Sequence, residues 1–194
     1  MKTRRAVAER LLAGRHENAG RSRSGAEAEG RPIRIDEDLH ALAYEVGRAA
    51  LSRKITIATA ESCTGGLLAG AITAVSGSSE WFDRGFVTYS NRAKVEALGV
   101  DAAIIEHHGA VSGETARAMA EGARAASGAQ WAVAVTGVAG PAGGSPDKPV
   151  GTVWLAWAGP SGTETLHRRL AGDRAEVRAG SVRIALEGLV DRLA

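Results

Sequence analysis

The sequence predicts an α/β protein whose mixed, mostly parallel sheet carries helices on both faces. Three observations point there. Strand-like apolar runs alternate with helix-period segments through the first half of the chain, as crossover connections require. The run KITIATA (Lys54–Ala60) is short, apolar and β-branched, the pattern of a strand buried on both faces. Near the C-terminus, the runs Val150–Ala158 and Thr163–Leu170 are separated only by Gly159–Gly162 with Pro160 inside, which fits an antiparallel hairpin.

Taken in order, residues 1–34 are rich in Arg, Ala, Gly, Glu and Ser, with almost nothing to bury between Gly20 and Gly30. They are expected to form a disordered basic extension. An arm that touches RNA or a membrane is the sharper alternative. A single domain is expected over 35–194. Asp36 can cap a helix whose Leu39, Leu42, Ala43, Val46 and Ala50 recur on one face. After the Lys54–Ala60 strand, Thr64–Val75 reads as a helix opened by Gly65–Gly66. Trp81–Ser90 is a second strand and Asn91–Leu98 a second crossover helix, with Asn91 as its cap. His107 and His108 adjoin a glycine and read as loop. Ser112 caps a further helix with Ala116, Met119, Ala120 and Ala123 inward. Trp131–Thr136 is a strand, followed by the loop GVAGPAGGSPDKP and the hairpin. Asp173 and Glu176 have the spacing of a capping box and open a last helix, buried through Val182, Leu186, Leu189 and Leu193.

Composition narrows the class. The chain of 194 residues can bury a full core, and no apolar run approaches the ~18 residues of a membrane span. A lone cysteine, Cys63, precludes an internal disulfide and fits a reducing, cytoplasmic setting. No His or Cys spacing suggests a metal site. The net charge of +2 divides unevenly: residues 1–34 hold nine Lys/Arg against four Glu, and the remainder is mildly acidic. Nucleic-acid binding by the folded part is therefore not expected.

In open α/β sheets, ligands bind beyond the carboxyl ends of the strands. Three polar or glycine-rich segments follow strands at such ends: AESCTGG (Ala60–Gly66), TYSNRAK (Thr88–Lys94) and TGVAGPAGGS (Thr136–Ser145). In the first, Ser62 and Cys63 occupy a strand-to-helix turn. Helix N–H groups there can face an oxyanion or a phosphate, and Gly65 and Gly66 allow close approach. On spacing alone, however, a helix cap at Ser62 or Thr64 is the commoner fate. In the second, Lys94 falls in the first turn of a helix, where the dipole disfavours its charge. A lysine acting as base near neutrality needs a pKa roughly 3 below its ordinary ~10.4, about 4 kcal/mol of environment. Tyr89 is placed to relay a proton between serine and lysine, although a solvated lysine and a core-edge tyrosine are the usual fate of such residues. The third segment, glycine-rich from Gly137 through Gly140 to Gly144, is neither a Walker A loop nor a G-x-G-x-x-G fingerprint. Its backbone donors can complete an anion site. Cys63 as nucleophile, and Arg174 of the AGDR turn as a phosphate contact, stand as weaker candidates.

Together these segments resemble the CinA C-terminal domain family. The stretches ITIATAESCTGGLLAGAITAVSGSSEWFDRGFVTYSNRAKVEALGV, HHGAVSGETARAMAEGA and AVAVTGVAGPAGGSPDKPVGTVWLAWAG, with the GDR turn, match its pattern over about residues 36–194. The resemblance implies a three-layer α/β/α sandwich. It also implies deamidation of nicotinamide mononucleotide to nicotinate mononucleotide and ammonia, without a metal or organic cofactor, by a protein that tends to form homo-oligomers. Carried over, Ser62 is the nucleophile and Tyr89 and Lys94 are the proton-transfer pair. Thr64, Gly65, Gly66, Gly137, Gly140 and Arg174 are the expected substrate-binding positions. The rival expectation is a catalytically silent nucleotide-binding or regulatory module linked to competence or DNA damage.

Overall fold

A computed structural model describes residues 37–194. The expected extension 1–34 and the expected cap Asp36 lie outside the described residues. The chain runs through α1 (Glu37–Arg53), β1 (Ile57–Glu61), α2 (Leu67–Thr73), a 3₁₀ turn (Ser78–Glu80) and β2 (Phe82–Val87). It continues with α3 (Asn91–Leu98), α4 (Ala102–His108), α5 (Gly113–Ser127), β3 (Trp131–Gly137), β4 (Thr152–Gly159), β5 (Gly162–Arg169) and α6 (Arg174–Leu193). The five strands form one sheet in the order β2-β1-β3-β4-β5. β1 pairs in parallel with β2 and β3, and β4 runs antiparallel to β3 and β5. The sheet is mixed as expected, and the expected hairpin is the β4–β5 pair, closed where Gly159 faces Gly162.

Side-chain alternation divides the sheet into two unlike faces. Ile57, Val133, Val135, Val153, Leu155 and Trp157 pack with α1, α2 and α6 in one core. The intervening residues Ala58, Ala60, Ala132, Ala134, Ala156 and Ala158 meet α5 in the other. A face of alanines lets a helix lie close, and α5 answers with Ala116, Met119, Ala120 and Ala123. The approach continues outward: a Cβ at Gly122 would lie 2.0 Å from the Leu98 carbonyl oxygen of α3.

Local boundaries depart from the sequence reading where turns intervene. Lys54 has φ 55°, which ends α1 and delays β1 to Ile57. Gly65 and Gly66 have φ 58° and 94°, so they form a turn and α2 begins at Leu67. Ser90, not Asn91, caps α3, its Oγ accepting from Ala93 N at 3.1 Å. His107 and His108 are not loop but the last turn of α4, which Asp101 caps through Ala103 N. The predicted capping box at Asp173 and Glu176 is present in full. Among the described residues, no helix is long and apolar enough to cross a membrane.

Candidate active site

The order β2-β1-β3 reverses the chain's direction of travel between β1 and β3, and a crevice opens at their carboxyl ends. All three segments expected to carry chemistry converge there. Ser62, Cys63, Tyr89, Lys94, Gly140 and Arg174 are among the residues lining a cavity of about 250 Å³. Gly137 also lines it, while Thr64, Gly65 and Gly66 do not.

Ladder bonds hold the strand end in place. Ser62 N donates to Val135 O at 2.9 Å, and Thr88 N donates to Glu61 O at 2.8 Å. The Glu61 side chain is fully buried and turns toward α2. Its carboxylate accepts from Gly66 N at 2.9 Å, Leu68 N at 3.0 Å and Ala69 N at 2.8 Å. These are the N–H groups that an α-helix leaves unsatisfied at its start. The expectation that this helix end faces an oxyanion or phosphate is therefore corrected: a carboxylate of the chain itself already fills it. Sequence reasoning missed Glu61, although an acidic residue closing an apolar strand just before a helix was a visible signal.

Lys94 is 1% exposed, and its Nζ lies 3.0 Å from Ser62 Oγ, 2.9 Å from Thr88 O and 3.5 Å from Tyr89 O. Burial lowers its pKa, because desolvation penalises the ammonium, while proximity to Cys63 works weakly the other way. No carboxylate forms an ion pair with Lys94 among the described residues. All three neighbours of Nζ are oxygens that can accept from it; a neutral amine can instead donate to the two carbonyls and leave its lone pair for the serine proton.

The other candidates separate clearly. Burial pushes the Cys63 thiol up to about 11, so it stays protonated and unreactive near neutrality. Tyr89 is exposed, and its hydroxyl accepts from Arg174 Nη2 at 2.9 Å rather than bonding to Ser62 or Lys94. Arg174 also donates from Nη1 to Gly140 O at 2.8 Å, which ties α6 to the glycine-rich loop. A second arginine one turn on, Arg178, donates to Thr64 O at 2.7 Å and braces the turn after Ser62. The N–H groups of Cys63, Ala139 and Gly140, all on residues that line the cavity, bond to no other residue among those described. No cluster of His, Cys, Asp or Glu among the described residues can hold a metal ion.

The CinA C-terminal domain model matches residues 39–193. The chain belongs to this family. It is 52% identical over 149 residues to the nicotinamide-nucleotide amidohydrolase PncC of Pseudomonas putida, covering 77% of this chain and 93% of that protein. To the nicotinamide-nucleotide amidohydrolase PncC of Escherichia coli K12 it is 48% identical over 155 residues, covering 79% and 94%. Among solved structures, it is similar to the competence/damage inducible protein CihA of Agrobacterium tumefaciens, with a TM-score of 0.78 and 47% identity over 79% of this chain and 94% of that one. In this CinA-family chain, the residues of the ESCTGG and TYSNRAK motifs are the ones that meet as Ser62 and Lys94.

Proposed function

We propose that this chain is a nicotinamide-nucleotide amidohydrolase that converts nicotinamide mononucleotide to nicotinate mononucleotide and ammonia through an acyl-enzyme on Ser62. Support comes from the relatives of similar length that carry that name. The observation that carries the chemistry is the buried Lys94 amine 3.0 Å from Ser62 Oγ.

Lys94, as free amine, takes the hydroxyl proton as Ser62 Oγ bonds to the carboxamide carbon. The carbonyls of Thr88 and Tyr89 hold the amine in line and favour the ammonium that forms. The N–H of Cys63, with those of Ala139 and Gly140, meets the tetrahedral oxyanion, at about 3 kcal/mol for a well-placed donor. Lys94 returns its proton to the departing nitrogen, the C–N bond breaks, and ammonia leaves. Water then attacks the ester carbon as Lys94 takes its proton; the C–Oγ bond breaks, Lys94 passes that proton to Ser62 Oγ, and the acid departs with serine and free amine restored.

The test is ammonia release from nicotinamide mononucleotide by the purified chain, with Ser62→Ala beside it. Release by the wild type and none by the variant is the expected result. A silent regulatory module would release none from either.

A further inference from the structure

We propose that the Tyr89 hydroxyl is a positioning group for Arg174, and that Arg174 so held meets the phosphate of the substrate. The inference rests on the reading above that the site takes a phosphorylated amide, and it gives Tyr89 a role other than proton transfer.

Tyr89 presents different groups to the two halves of the site. Its carbonyl faces Lys94 Nζ at 3.5 Å, while its hydroxyl bonds to Arg174 Nη2 at 2.9 Å. The side chain is 60% exposed at the rim, whereas Lys94 is 1% exposed at the floor. A proton route through the hydroxyl would need a bond to Ser62 or Lys94, and neither is present. Nor is one needed, since serine and lysine are in direct contact.

Arg174 is an unusual residue for its position. It is the first residue of α6, at the helix end where the dipole disfavours a cation. The nearby carboxylates, Asp173 and Glu176, are engaged with backbone N–H groups in the capping box. Among the described residues no carboxylate pairs with Arg174, and its acceptors, Gly140 O and Tyr89 Oη, are neutral. Neutral acceptors fix the guanidinium plane without cancelling its charge. A cation so fixed at the wall of a cavity suits an anionic ligand, and a guanidinium fork suits phosphate. The start of α2 is closed to a phosphate, because the Glu61 carboxylate already occupies its N–H groups. The substrate is thereby oriented, with its carboxamide at Ser62 and its phosphate at Arg174.

The experiment compares nicotinamide mononucleotide with nicotinamide riboside, which lacks the phosphate, on wild type, Tyr89→Phe, Arg174→Ala and the double variant. Tyr89→Phe should raise KM for the nucleotide about tenfold, the usual scale of one charge-assisted hydrogen bond. Its kcat and pH profile should stay within about twofold, so the preference for nucleotide over riboside falls about tenfold. Arg174→Ala should lose more of that preference, and the double variant no more than Arg174→Ala alone. A Tyr89→Phe variant with kcat reduced equally on both amides and a displaced pH profile overturns the proposal in favour of proton transfer. So does a double variant whose losses are the product of the single ones. Calorimetric Kd values for both compounds on the same four proteins separate this from the activity itself. If the wild type releases no ammonia, the amidohydrolase reading fails. The binding preference then decides the Tyr89–Arg174 proposal alone: its loss in both single variants supports it, and its retention in either overturns it.

Discussion

Lys94 Nζ and Ser62 Oγ lie 3.0 Å apart, although 32 positions separate them in the chain. Two different strand ends deliver them: Ser62 follows β1, and Lys94 stands on the helix that follows β2. Parallel pairing of β1 with β2 brings both ends to one edge of the sheet, so the pair is a product of the ladder.

The nucleophile is tested by two neighbouring substitutions. Ser62→Ala should lower ammonia release by more than about a thousandfold, as loss of an attacking group does. Cys63→Ala should keep activity within about tenfold, since its thiol is buried and protonated, and should cost about 1 kcal/mol for the small cavity left. Steady-state ammonia assays and denaturant melts of both variants check this.

The base is tested by pH. Burial lowers the Lys94 pKa, so the neutral amine exists at pH values where an ordinary lysine is charged. Activity should rise with pH through an apparent pKa below the ordinary ~10.4. Lys94→Arg should be nearly inactive across the range, because a guanidinium keeps its proton. A pH–rate profile of that variant matching the wild type would remove Lys94 from the role of base.

The same residue should leave a mark on stability. With its pKa lower in the folded than in the unfolded chain, Lys94 opposes folding most at pH values below the folded pKa. That cost disappears as pH rises through the window up to the unfolded value of ~10.4. Lys94→Met should therefore be more stable than the wild type near neutrality. The difference should narrow with rising pH, by about 1.4 kcal/mol for each pH step between the two pKa values. Urea titrations at several pH values measure it.

Glu61 should matter through α2. Glu61→Ala strands three buried or half-buried N–H groups and should cost more than about 3 kcal/mol, at 1–3 kcal/mol for each unsatisfied group. Glu61→Gln keeps one acceptor oxygen and should lose roughly half as much. Equal melting midpoints for Glu61→Ala and the wild type would contradict the capping role.

The close approach of α5 to α3 makes a separate forecast. At Gly122, a Cβ would meet the Leu98 carbonyl oxygen at 2.0 Å, and backbone cannot swing aside as a side chain can. Gly122→Ala should destabilise the protein by about 2 kcal/mol or more, toward the upper end of overpacking costs, despite alanine's better helix propensity. Thermal melts of the single variant check it.

The layered frame and the places where chemistry gathers are legible in the amino-acid sequence. The short apolar, β-branched runs marked the strands, the Asp173–Glu176 spacing marked the start of α6, and Pro160 between glycines marked the hairpin. These signals are local, because period, capping and turn conformation each depend on residues a few positions apart. The helix α4 is not legible in the sequence because its seven residues are too few to show a period, and Ser90 and Asn91 compete as adjacent caps of similar chemistry. The partners of each site residue, by contrast, come from the packing of the strands. That Glu61 fills the start of α2, that Lys94 faces Ser62 and two carbonyls, and that the Tyr89 hydroxyl turns to Arg174 all depend on which strand ends lie side by side. The Tyr89–Arg174 bond joins residues 85 positions apart. Neither residue has a neighbour in sequence that foretells the other, because the sheet order, not the local sequence, sets the distance between β2 and α6.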